Sequence, residues 1–339
     1  MPTYSPSRLS TYEQCPRQYR YRYIDRIPRE DETIESFMGH CVHAALERLY
    51  ADLQMAKEAT LPEILEHYRK AWAAGWHGGI RIVRQEYSAE QYRRLGERCL
   101  TAYYHRHAPF DGGTTLGLEA KVAVALDEGG AYTIAGVIDR LVAVGEGRYE
   151  IHDYKTGGRL PSQDRLDGDR QLALYQLAVE AAWPDAKEVE LVWHYLVFDR
   201  VLRSRRGRAE LEGLKRETIA LIGRIETDTT FAPRESPLCN WCAYQDLCPV
   251  RRHLVRREGE AQPDLGAYAA GQLVNRYAEV SLRRRTLAAE LDAELEALEG
   301  ALRAAAREQG AEVLFGDAHR VRVAPADDGR ITLLPREDR

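Results

Sequence analysis

Apolar positions recur at helical spacing through roughly the first hundred residues, then at every second position or in continuous runs from about residue 117. The first part predicts helices over residues 7–25, 35–58, 61–75 and 87–108; Leu9, Tyr12, Tyr19 and Tyr23 mark the first, and Phe37, Cys41, Leu46, Leu49 and Tyr50 the second. Residues 118–126, 132–144 and 148–155 predict three strands of an antiparallel meander, joined by Gly-containing turns at 127–130 and 145–147. A helix over 169–182 and a strand over 188–198 follow, which makes the sheet mixed, with a crossover helix on one face. A helix over 209–228 comes next, then one long helix or two over 264–309, striped by Leu287, Leu291, Leu295, Leu298 and Leu302. Two strands, 311–324 and 330–335, are expected around the turn Asp327-Asp328-Gly329.

The segment from Tyr149 to Gly157 concentrates the chemistry. Residues two apart in a strand share a face, so Asp153 and Lys155 point together while Tyr154 points away. Such neighbours also occur as solvated surface pairs contributing under about 1 kcal/mol. Asp139 ends the apolar run of the preceding strand, so two carboxylates and an amine converge on adjacent strands. That set suits a divalent metal with a cationic partner, as metal-assisted phosphodiester hydrolysis requires. Mg2+ or Mn2+ prefers hard oxygen ligands, which Asp139, Asp153 and the backbone carbonyl of Tyr154 offer; Mn2+ also accepts an imidazole such as His43. A lone histidine on a helix is also commonly an ordinary packed or surface residue. Lys155 is expected to orient water or stabilise transition-state charge, without binding the metal itself. Glu119, read as the start of the first strand, is a distant ligand, a partner for Lys155, or simply exposed. Gln171 and Tyr175 lie four apart on one helix face and are expected to reach the site together, bonding a phosphate or stacking on a base.

Charge narrows the picture. With 48 basic and 53 acidic residues in 339, the net charge of -5 argues against coating nucleic acid by bulk attraction. Binding would have to be regional. Three regions qualify: Arg17, with Arg20 and Arg22, interleaved with tyrosines; Arg203, Arg205 and Arg206 in the run 200–208; and Arg251, Arg252, Arg256 and Arg257 beyond the cysteine cluster. An ordinary amphipathic helix and a solvated hairpin account for the first two as well. The N-terminus carries no apolar signal core and no run of about 18 apolar residues occurs, so a cytoplasmic protein with no membrane partner is expected. No Walker-type phosphate loop is present, and no ATP site is expected.

In a reducing compartment the six cysteines read as ligands or packing residues rather than disulfides. Cys239, Cys242 and Cys248 form C-x2-C-x5-C, one thiolate short of a tetrahedral site. Cys15 is the best fourth candidate, because a proline follows it as one follows Cys248. Spacing permits a zinc ion on these four thiolates. Cys41 and Cys99 read as small core residues on helix faces.

Four ordered segments carry a resemblance: 39–47 around His43, 136–139 ending in Asp139, 153–157 with Asp153 and Lys155, and 171–175 with Gln171 and Tyr175. Together they resemble the motifs of RecB-family nucleases of the PD-(D/E)XK superfamily, over roughly residues 6–250. The resemblance implies an α/β (α+β) fold with a restriction-endonuclease-like mixed sheet flanked by helices. It also implies catalytic roles for His43, Asp139, Asp153 and Lys155, with Gln171 and Tyr175 lining the site. Ile138 stands where the superfamily's name-giving proline would be. The cysteine pattern is similar to that of the AddB nuclease domain and the CRISPR-adaptation nucleases, which implies a 4Fe-4S cluster on Cys15, Cys239, Cys242 and Cys248. The implied activity is a metal-dependent deoxyribonuclease, an exonuclease preferring single strands or free ends, in DNA repair, recombination or CRISPR adaptation. The expected organisation is a nuclease domain over 1–258, with a helical part (1–115), a sheet core (116–200) and the cysteine cluster (231–250), then an extension over 259–339. The extension holds the long helix and a small β-hairpin, and the helix offers a surface for a protein partner or self-association. The competing expectation is a non-catalytic nucleic-acid-binding or assembly subunit that retains the fold; the intact Asp139, Asp153 and Lys155 count against it.

Overall fold

In the computed structural model, which describes residues 3–29, 31–253, 270–315, 320–324 and 331–334, the alternating stretch becomes a six-stranded mixed sheet. In chain order its strands are β1 (Thr3–Tyr4), then β4 (Thr114–Ala125), β5 (Thr133–Gly145), β6 (Arg148–Lys155), β7 (Glu188–Tyr195) and β8 (Arg200–Arg205); β2 (Glu32–Thr33) and β3 (Ile80–Arg81) form a separate two-stranded pair. The order is β1-β5-β6-β7-β8, with β4 also on β5. Strands β4, β5 and β6 run antiparallel as a meander, and β7 lies parallel to β6.

Helices cover both faces. On one side lie α1 (Pro6–Gln14), α2 (Pro16–Tyr19), α7 (Gln171–Ala182) and α8 (Arg208–Thr227); on the other lie α3 (Ile34–Gln54), α4 (Leu61–Gly75) and α5 (Ala89–His107), while α6 (Gln163–Asp167) is a short turn before α7. The pleat of β6 divides its side chains between the two cores. Tyr149 and Ile151 bury with Leu172 and Leu174 of α7, and Tyr154 buries among the helices α3, α4 and α5. Removing such side chains from water stabilises by about 1.5–3 kcal/mol each. Helix α7 is apolar around most of its circumference because it is the crossover between parallel strands and is packed on several sides.

Several boundaries differ from the sequence reading. The helix expected over 7–25 breaks at Cys15, whose extended backbone is followed by Pro16, and continues as α2 and a π-type turn over Arg20–Ile24. The basic run expected as a possible solvated hairpin is the antiparallel strand β8. Glu119 lies in the middle of β4, not at its start.

Two compact units are present, Met1–Gly259 and Glu260–Arg339. In the second, α9 (Ala270–Gln309) is a 40-residue helix, followed by β9 (Val313–Phe315), β10 (Arg320–Val323) and β11 (Ile331–Leu334). These make a three-stranded antiparallel sheet rather than the two strands expected, while the turn at 327–329 lies outside the described residues. Leu291, Leu295 and Leu298 are exposed on α9. No helix among the described residues is long and apolar enough to cross a membrane.

Candidate active site

Strand register builds an acidic row. Leu118 pairs with Arg140 and Ala120 with Ile138, which sets Glu119 across from Asp139; Arg140 pairs with His152, which carries the row on to Asp153. Like charges opposite one another on neighbouring strands destabilise a sheet. Glu119 adds backbone strain, with φ +43, in the left-handed region that non-glycine residues avoid.

Helix α3 brings His43 over this row. It approaches the end of β6 so closely that a Cβ on Gly39 would lie 3.0 Å from Thr156 Oγ1. His43 Nδ1 is 3.5 Å from Asp139 Oδ2, and Nε2 is 2.8 Å from the carbonyl oxygen of Tyr154. A carbonyl only accepts, so Nε2 donates, and Nδ1 is the nitrogen that faces Asp139. Ligand atoms of His43, Glu119 and Asp139 all lie within 4.8 Å of one another. Three of the ligands read from the sequence, His43, Glu119 and Asp139, make this compact set; the Tyr154 carbonyl accepts from His43, and Asp153 is paired with Lys155 beside it.

The carboxylates lack compensation. Burial first, and then the neighbouring Asp153, push the Asp139 carboxyl up to about 7, although the Tyr154 amide donates to Asp139 Oδ2 across 2.8 Å. Burial, with Asp139 adding to it, also raises Glu119. Asp153 Oδ1 accepts from Lys155 Nζ at 2.9 Å and from Gln171 Nε2 at 3.2 Å. Its Oδ2 is buried and receives no aligned hydrogen bond, though Nζ lies 2.8 Å away. Buried oxygens that repel one another and keep unused acceptor capacity fit a hard divalent cation.

Lys155 is the cation already in place. Burial opposes its charge, but Asp153, Asp139 and Asp169 together outweigh that and raise its pKa, so it stays an ammonium. It donates to Asp153 and, at 3.1 Å, to Gln171 Oε1, which leaves one N–H unused. Gln171 is positioned by Asp169, whose Oδ1 accepts from its amide at 2.9 Å. Asp169 was not singled out from the sequence, which makes it the first residue of the predicted helix; the helix begins at Gln171 instead. The Tyr175 ring lies on β5, where a Cβ at Gly136 would come within 2.3 Å of it. The far face of the sheet carries, on β5, another group without a sequence signal. Arg140, buried and over the Tyr50 ring, donates to the Tyr154 hydroxyl at 3.1 Å, and its Nη2 lies 3.1 Å from His152 Nδ1.

Cys15, Cys239, Cys242 and Cys248 line one cavity. The amide of Arg234 points at Cys15 Sγ across 3.5 Å, that of Ser236 at Cys239 Sγ across 3.4 Å, and that of Tyr244 at Cys242 Sγ across 3.5 Å. Burial and the other three thiols raise the Cys242 pKa, a conflict that a bound cation relieves. Cys41 and Cys99 are buried in the helical core, and burial pushes both up to about 11.

The arginines are less available than their density implied. Arg203 bonds Glu150 at 2.7 Å and also Glu190; Arg205 bonds Glu188 and Glu190; Arg206 is turned inward onto the carbonyl of Leu166 at 2.9 Å. Arg17 donates to the carbonyl of Thr230 at 3.3 Å, and Arg256 and Arg257 lie outside the described residues. Phosphate contact by Arg203 or Arg205 would first have to break pairs with carboxylates.

No curated protein matches this sequence. Among solved structures the chain is similar to a candidate exonuclease from Eubacterium rectale (11% identity, 74% of this chain and 87% of that one, TM-score 0.43). It is also similar to the protein SSO0001 (16% identity, 72% of this chain and 95% of that one, TM-score 0.29). The profile of the PD-(D/E)XK nuclease superfamily matches residues 3–249, which takes in the whole sheet, the acidic row and the cysteine cavity. The mixed sheet between helical layers and the match over most of its length lead to one conclusion: this chain belongs to the PD-(D/E)XK nuclease superfamily.

Proposed function

We propose that this nuclease is a metal-dependent deoxyribonuclease of the RecB type, active on single strands or free ends, with its site at Glu119, His43, Asp139, Asp153, Lys155, Gln171 and Tyr175. The observation that carries this is the acidic row under His43, with Lys155 held beside it. When bound there, Mg2+ or Mn2+ neutralises the carboxylates, lowers the pKa of a bound water and polarises a phosphoryl oxygen. His43 through Nδ1, Glu119, Asp139 and Asp153 are the residues to hold it. Lys155 meets the charge that develops on phosphorus oxygens, using the N–H left after Asp153 and Gln171 take two. Gln171 fixes the ammonium by accepting from Nζ while donating to Asp153. Tyr175 packs behind the row and keeps α7 against β5.

For the cysteines we propose the 4Fe-4S cluster. The likeness of the cysteine pattern to that of cluster-bearing nucleases, and the gathering of the four cysteines on one cavity, support a cluster with one thiolate at each corner. We place this nuclease in the cytoplasm, acting in repair, recombination or CRISPR adaptation.

End-labelled single- and double-stranded DNA incubated with Mn2+, beside a Lys155→Ala control, tests the enzyme. Release of short products from single strands by the wild type alone is expected. Equal, negligible cleavage by both proteins overturns the reading in favour of a non-catalytic subunit. Visible absorbance of anaerobically purified protein tests the cluster; a colourless protein with stoichiometric zinc overturns it.

A further inference from the structure

Beside Gln171 opens a cavity of ≈ 630 Å³, walled by one face of α1, the loop before α7, the end of β7 and one face of α8. Gln171 belongs to both places: it lines the cavity and its side chain bonds Lys155 and Asp153. Whatever is attached to a phosphate held at Lys155 therefore has a direct path into this space. The volume falls in the range of about 300–1,000 Å³ typical of small-molecule sites. It has room for an unpaired nucleotide or two, and none for a duplex.

The lining suits a nucleotide. Leu214, half-buried, offers apolar surface to a base and its sugar, over a floor closed by the buried Tyr195 and Leu166. Ser10 and Glu217 offer a hydroxyl and a carboxylate to polar edges. Arg170, also in the wall, is held by Glu13 at 2.5 Å, whereas the Arg165 guanidinium makes no side-chain hydrogen bond or ion pair among the described residues. An uncommitted guanidinium at the rim is a ready partner for phosphate.

We propose that this cavity takes the unpaired nucleotide flanking the scissile phosphate, its base and sugar between α1 and α8 and its next phosphate on Arg165. The proposal rests on the nuclease reading above. It adds a reason for single-strand preference: a base that enters here has left its complementary strand.

The test uses the full-length protein and Ser10→Trp, which fills the cavity from an exposed position, with Arg165→Glu as a second variant. Binding of fluorescein-labelled tetrathymidylate is read in EDTA by anisotropy, and melting temperatures verify folding. Both variants are expected to bind about tenfold or more weakly than wild type. With Mn2+, both are expected to cleave the oligonucleotide with raised KM and to hydrolyse bis(4-nitrophenyl) phosphate, which has no nucleoside, within about twofold of wild type. Unchanged oligonucleotide binding in the folded variants overturns the proposal, as does an equal loss on both substrates. Weakened binding with a wild type that cleaves neither substrate leaves the cavity assigned and overturns the hydrolytic reading alone.

Discussion

The imidazole of His43 donates to the main-chain carbonyl of Tyr154 across 2.8 Å, joining two residues 111 positions apart. That bond orients Nδ1 toward Asp139, so the ring is aimed before any ligand arrives. His43→Ala and Asp139→Asn are expected to weaken Mn2+ binding by roughly tenfold or more, measured by titration calorimetry. Lys155→Met is expected to leave that binding largely intact and abolish turnover. Metal affinity lost in Lys155→Met would show that the amine shapes the cation site as well as the reaction.

Stability should fall on acidification. Burial holds His152 down to about 3, His107 to about 4, and His194 well below its usual value. Unfolded histidines titrate near 6.5, so between about pH 6.5 and 4 the unfolded chain takes up protons that these three refuse. Each contributes stability that is present above 6.5 and is lost as pH falls, by at most about 1.4 kcal/mol per pH unit. Asp139 acts in the opposite sense: raised to about 7, it stabilises below its unfolded value and loses that contribution as pH rises through 7. Glu119 and Asp169, also raised by burial, act in the same sense as Asp139, but between pH 7.5 and 5.0 the three histidines outweigh these carboxyls and leave a net loss. Urea midpoints at pH 7.5 and 5.0 should drop on the acid side, and equal midpoints would contradict the buried neutral imidazoles.

Gly136→Ala is expected to cost about 1–3 kcal/mol, because its Cβ would lie 2.3 Å from the Tyr175 ring, and a phenol ring gives way only by moving α7. A melting temperature lowered by several degrees would show it. An unchanged melting temperature would mean that the ring shifts freely.

Cys15→Ser is expected to lower the melting temperature and the bound metal together, since the cysteine cavity ties residue 15 to residues 239–248 and closes a long loop. A variant that loses metal yet melts like the wild type would reduce the centre to an ornament of the fold.

What was legible in the sequence follows the range of the forces involved. Local alternation exposes β4, β5 and β6, and the two-residue spacing puts Asp153 and Lys155 on one face; both depend only on the pleat. Glu119 entered as an afterthought, because its place opposite Asp139 depends on the register between two strands, which no single stretch encodes. The arginines of β8 likewise looked free until β7 and β6 supplied Glu188, Glu190 and Glu150 across the sheet. The break at Cys15 carried a local sign in Pro16, overridden by the tyrosine periodicity around it. Arg140 acts through partners on other elements and had no periodic pattern to betray it, while Asp169 acts on Gln171 two residues along, inside a stretch read only as helix.

Tyr154 meets Asp139 through its amide and His43 through its carbonyl, while its hydroxyl joins Arg140 on the far face. No side-chain replacement at 154 can delete the first two contacts, because every residue except proline brings the same peptide groups. Natural variation at this position is therefore free to redesign the interior while sparing the site. An insertion or deletion within β6 has no such freedom. One step of slippage would present His152 and Tyr154 where Asp153 and Lys155 now stand, turning the acidic row toward the helices α3 and α5. For this enzyme, alignment of the strand is as much an inherited catalytic trait as the residues it displays.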